Sequence, residues 1–197
     1  NTHVFFNGTG INNTSTEMCN IGTCGGGQYA GFIDIEDIDN LTFGGLDANQ
    51  KFQITTVNND AGQTCAVLFE GNGPLNDRGN AIRWMDISGG AGVPNNSLPD
   101  IGAGVCVGRV GGVMVHNVDI HDWGSHGTLG GLYSIRAHDV IYYQVTSKRN
   151  GSTNTANVQN VDGAVWSASQ YQATEESAGG IWFIDGEISD NYWNRFN

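Results

Sequence analysis

A chain of 197 residues with 30 glycines, 22 asparagines and only two lysines is one domain's length of turn-formers, poor in the residues that face solvent from helices. Eight basic against 20 acidic residues leave a formal charge of −12, which repels nucleic-acid phosphates and anionic membranes and counts against polyanionic substrates. No apolar run approaches the roughly 20 residues of a bilayer-crossing helix, so neither nucleic acid nor membrane insertion is expected.

The chain starts at Asn1 with no initiator Met and no leader, so 1–197 is expected to be a single domain that is either processed or a segment of a larger protein. Thr2–Phe6 reads as a first strand. Six Asn-x-Ser/Thr acceptors follow at Asn7, Asn12, Asn13, Asn40, Asn95 and Asn150, where chance gives about three, and they point to a secreted or cell-surface glycoprotein. Four cysteines suit two disulfides in an oxidising compartment. Cys19 with Cys24 would close a tight loop, and Cys65 with Cys106 share similar settings; four buried thiols are the alternative.

Apolar residues then alternate over Phe32–Ile35, Phe52–Val57, Val113–Val118 and Val140–Val145, bounded by Gly, Asn, Asp and Ser, the pattern of short strands. Ala164–Ser177 alone has a helical look, and its Ser, Gln and Thr content fits a long loop equally well. Gly104–Arg109 with Val113–Val115 matches Gly131–Arg136 with Val140–Tyr142 at an offset of 27. Met85-Asp86-Ile87-Ser88 is echoed by Val118-Asp119-Ile120-His121, an offset of 33, and by Gly186-Glu187-Ile188-Ser189. Hairpins of a β-sandwich or jelly roll, the alternative fold, would return after two to five loop residues. Longer offsets with several strands and no helix per repeat indicate an all-β solenoid with loop insertions at 94–100 and 150–162.

From about Gly31 to Asn191 this pattern resembles the right-handed parallel β-helix of the pectin-lyase-like superfamily. The resemblance implies stacked strands, and many such proteins act on polysaccharide. It does not extend to the catalytic motifs of polygalacturonase-like relatives: Ser125-His126-Gly127 is a faint match to one of them, and the chain has no Asp-Asp pair.

Stacking makes specific neighbours. Equivalent residues sit about 4.8 Å apart, which would bring Cys65 to Cys106, Asp122 to Arg149 and Asp86 to Asp119. Two adjacent carboxylates repel unless a cation, commonly Ca²⁺, or a shared proton relieves them, so Asp86 and Asp119 are the candidate metal ligands, with Ca²⁺ as the candidate cofactor. Three histidines at intervals of five would alternate between strand faces and make no common metal site. With Ile120 inward, Asp119 and His121 face outward together and, with Arg136, form the candidate catalytic set. Trp123 and Trp193 lie among polar residues and are candidates for stacking on a sugar, whereas Trp84 and Trp182 have apolar neighbours and are expected in the core. Whether the chain is an enzyme is left open. The preferred expectation is an extracellular structural or adhesive β-helix module that can associate end to end into a filament; the alternative is a polysaccharide lyase or glycoside hydrolase with a diverged site.

Overall fold

The computed structural model describes residues 2–6, 10–13, 30–36, 38–56, 64–70, 78–88, 102–108, 110–122, 131–135, 137–150, 167–168 and 179–190. Among these residues lie fifteen strands and no helix. A ten-stranded sheet takes β1 (Thr2–Phe6), β2 (Gly10–Asn13), β4 (Leu41–Gly45), β5 (Phe52–Thr56), β7 (Ala81–Ser88), β9 (Gly111–His121), β11 (His138–Tyr143), β12 (Thr146–Lys148), β14 (Gly179–Ile184) and β15 (Glu187–Ser189). A second sheet orders β13 (Ser167–Ala168), β10 (Leu132–Ile135), β8 (Gly102–Gly108), β6 (Thr64–Glu70) and β3 (Ala30–Ile35).

Every described pairing is parallel, and from β7 to β11 the chain alternates between the two sheets. A parallel pair needs a crossover, so the hairpins of a sandwich are not what joins these strands. The arrangement is all-β with parallel sheets and fits a β-solenoid. Its registers match the sequence echoes: Val113 stands opposite Val140, Val105 opposite Leu132, and Asp86 opposite Asp119. Within Ala164–Ser177, Ser167–Ala168 is a short strand beside Ser134–Ile135, and the rest of that stretch lies outside the described residues.

Inward positions form columns across neighbouring strands. Ile82, Val115 and Tyr142 make one, all fully buried; Ile54, Ile87, Ile120 and Ser147 make another, ending on the partly buried Ile188. Each buried aliphatic or aromatic side chain contributes about 1.5–3 kcal/mol over its exposed state. The Tyr142 hydroxyl is satisfied by Ser134 Oγ, and burial pushes its pKa well above the usual range. Ser147 replaces an isoleucine because Asn150 fills the same corner: Asn150 Nδ2 donates to Ile120 O (3.1 Å) and Ser147 Oγ (3.0 Å). Gly131 must be glycine here, since a Cβ would stand 2.2 Å from Ser147 Oγ.

The larger sheet folds at corners held by left-handed backbone. Trp84 (φ 49°), Asn117 (56°), Gln144 (52°) and Asp185 (51°) form one corner column, and Asp122, Arg149 and Asp190 form another. Asparagine and aspartate tolerate this region; for tryptophan it is an outlier costing roughly 1–3 kcal/mol. The Asn117 corner also resets the in-out alternation of β9. His116 and His121 therefore both face outward, contrary to the opposite faces expected from their spacing in a regular strand.

Cys65 and Cys106 are disulfide-bonded, with Cα atoms 5.9 Å apart. The reason differs from the expected equivalence, because Cys65 stands opposite Ala103 and Cys106 opposite Leu68. Ala66 and Val67 both join the core cluster, while Cys65 and Leu68 are buried outside it. The alternation of β6 breaks between them. Cys19 and Cys24 lie outside the described residues.

Candidate binding face

Strand β9 supplies the central residues of the site. Because Val118 and Ile120 turn into the core, Asp119 and His121 project outward from the limb beyond the Asn117 corner. Neighbouring strands extend each position into a column: Gln53, Asp86, Asp119, Thr146 and Glu187 in one, Thr55, Ser88, His121, Lys148 and Ser189 in the next.

Asp86 and Asp119 are thus adjacent, as expected, and the chain's own cations answer their charge. His121 Nε2 lies 2.8 Å from Asp86 Oδ1, and Lys51 Nζ is paired with Asp119 Oδ2. The other His121 nitrogen, Nδ1, meets Asp122 Oδ2 at 2.7 Å. Asp122 in turn accepts two bonds from Arg149, 2.7 and 2.8 Å long, the ion pair that stacking predicted. Lys148 Nζ to Glu187 Oε2 (2.7 Å) carries the chain of pairs onward to β15. Among the described residues no three His, Cys, Asp or Glu side chains are grouped to hold a metal. Lys51 and His121 each take one oxygen of these two carboxylates, so the repulsion from which a Ca²⁺ was inferred is already answered by the chain's own cations.

The hydrogen bond to Asp86 dominates the electrostatics of His121. With help from Asp122 and against the cost of burial, it pushes the imidazole pKa up to about 9. Arg149, then His121, hold the Asp122 carboxyl below the usual carboxylate range. A ring that stays protonated at neutral pH, with both nitrogens bonded to carboxylates, is neither a ready base nor a strong acid. It braces strands.

Alongside this face runs a groove of about 440 Å³ lined by Ala48, Lys51, Trp84, Asn117, Asp119, Gln144, Thr146, Asp185, Gly186 and Glu187. Its backbone is the first corner column, tied by Asn117 Nδ2 to Gln144 Oε1 (2.7 Å) and Gln144 Nε2 to Asp185 Oδ2 (2.8 Å). Trp84 is half-buried in the groove wall rather than in the core, and Trp182 is 47% exposed on the outer face opposite Ile141. Both correct the sequence expectation: apolar neighbours in sequence alternate inward and outward on a strand, so they do not bury the residue between them. Successive offsets of 33, 27 and 41 lead from Trp84 to Asn117, Gln144 and Asp185, a signal present in the sequence.

Arg136, Trp123, Trp193, Asn7 and Asn95 lie outside the described residues. Asn12 and Asn13 fall within β2, opposite Thr55 and Thr56, and Asn40 is exposed at a corner. Asn150 is fully buried with its amide nitrogen donating twice, so the folded chain has no room for the glycan expected there.

No protein-family model matches this chain, and comparison with curated proteins and with solved structures returns no match.

Proposed function

We propose that this chain is a right-handed parallel β-helix that serves outside the cell as a structural or adhesive glycoprotein module and not as a hydrolase or lyase. The observation that carries this reading is the commitment to one another of the ionised groups around Asp119 and His121. Asp119 with Lys51, Asp86 with His121, Asp122 with Arg149 and Lys148 with Glu187 bridge strand to strand. Groups poised for proton transfer need pKa values near working pH and a free partner atom, and His121 has neither. The Cys65–Cys106 bridge is consistent with an oxidising compartment, and among the described residues no helix is long and apolar enough to cross a membrane.

Parallel strands at both ends of the larger sheet also support end-to-end association, since a second copy stacked on β14 and β15 would extend the columns. Sedimentation of the native protein checks this, with oligomers growing with concentration as the expected outcome. The function itself is tested by incubating the protein with acidic and neutral polysaccharides and assaying for reducing ends and unsaturated products. No turnover is expected. Turnover lost on His121→Ala or Arg136→Ala would instead establish the diverged lyase or hydrolase.

A further inference from the structure

We infer that the groove along the Trp84 corner is a binding site for an uncharged, extended saccharide chain, with the Trp84 indole as its stacking platform. This names the ligand of the adhesive reading above and rests on it.

Three independent features converge on the groove. The first is Trp84 itself. The equivalent positions on neighbouring strands hold Asn117, Gln144 and Asp185, side chains that hydrogen-bond along the column, and only this position holds a large aromatic in left-handed backbone. A strained residue that does nothing for the core, being half-buried in a groove wall, is the kind that persists for recognition. An indole presents an apolar face of the size that packs on the C–H side of a pyranose ring.

The second is repeat length. Successive corner residues are spaced by one strand separation, about 4.8 Å, close to the length of one sugar unit in an extended chain. Each unit would meet the same kind of partner in turn. The bond along the column uses one of Gln144's two amide N–H groups, and one oxygen of Asp185 accepts it. By donor and acceptor count, the second N–H, the second carboxylate oxygen and the Thr146 hydroxyl remain for ligand hydroxyls. Carboxylate–hydroxyl bonds are the stronger, charge-assisted kind.

The third is charge. Asp119, Asp185 and Glu187 line the groove, Lys51 answers Asp119 and Lys148 answers Glu187 from the adjoining column, and Asp185 leaves the wall net negative on a chain of net charge −12. A uronate polymer would be repelled, whereas a neutral chain loses nothing to this field. A volume of about 440 Å³ falls within the range of small-molecule sites.

The test is calorimetric titration with neutral gluco-, manno- and xylo-oligosaccharides, tetra- to hexasaccharides, with oligogalacturonate as the polyanionic comparison. At least one neutral series should bind and oligogalacturonate should not. Trp84→Asn, which gives this corner the residue found at the next, should weaken binding roughly tenfold while leaving Tm unchanged or higher. Asp185→Ala, at an exposed position, should weaken it several-fold and serves if Trp84→Asn folds poorly. Trp182→Ala should bind as the parent does. The inference is overturned if no neutral oligosaccharide binds, if Trp84→Asn or Asp185→Ala binds as tightly as the parent, or if oligogalacturonate is preferred. Cleavage of the same oligosaccharides is a separate result, which would refute the non-catalytic reading and leave the groove in place.

Discussion

His116 and His121 share strand β9 and an outward orientation, yet their protons respond to opposite forces. Burial, aided by the charge of Arg83, lowers the pKa of His116 against its bond to Asn117, whereas the Asp86 carboxylate raises that of His121. A histidine whose folded pKa exceeds its unfolded value of about 6.5 contributes stability that is complete below that pH and is lost as pH rises through the folded value. For His121 the loss falls between pH 6.5 and about 9. His116 acts in reverse, costing stability as pH falls below about 6.5. Asp122, depressed by Arg149, contributes above its unfolded pKa and loses that contribution in acid. Chemical denaturation across pH 6 to 9 should therefore show stability falling by roughly 1–2 kcal/mol once solvent screening is allowed for. His121→Gln should flatten that decline. Parallel curves for parent and variant would mean that the bridge to Asp86 does not form in solution.

At the scale of elements, two joints hold neighbouring strands. Asn150 ties the end of β12 to Ile120 of β9, and Asn150→Ala should cost about 1–3 kcal/mol in urea denaturation by stranding the Ile120 carbonyl and opening a void. The same residue should be bare in peptide mass spectra of native material, while exposed Asn40 carries a glycan; a glycan on Asn150 would show that this corner folds otherwise. The Cys65–Cys106 bond closes a 41-residue separation, for which chain entropy gives about 4 kcal/mol. Replacing both cysteines by alanine should lower unfolding free energy by that order, and a change under about 1 kcal/mol would mean the bond is not formed.

For the whole molecule, the parallel stack was legible where an inward isoleucine follows an outward acid, because Asp86-Ile87 and Asp119-Ile120 repeat both the pattern and the register. That legibility extended to the Asp122–Arg149 pair and to the neighbouring Asp86 and Asp119. It failed at the corners. A left-handed residue such as Asn117 resets alternation without any mark that periodicity can detect, so the shared face of His116 and His121 and the outward placement of Trp84 were hidden. It failed again at β6, where Ala66 and Val67 both turn inward and the bonded cysteines do not stand opposite one another. The ion pairs that neutralise the candidate catalytic face depend on where long side chains reach, which repeats do not encode.

The groove, the braces and the corner columns all follow from one arrangement, in which residues at offsets of 27, 33 and 41 are parallel neighbours. Its most direct test is nuclear Overhauser contact mapping on isotope-labelled protein. Contacts of the Tyr142 ring with Val115 on one side and Phe183 on the other are expected, with Ile120 against Ile87 and parallel cross-strand amide contacts throughout. Antiparallel contacts between strands adjacent in sequence, with Tyr142 touching neither Val115 nor Phe183, would contradict the account at its base.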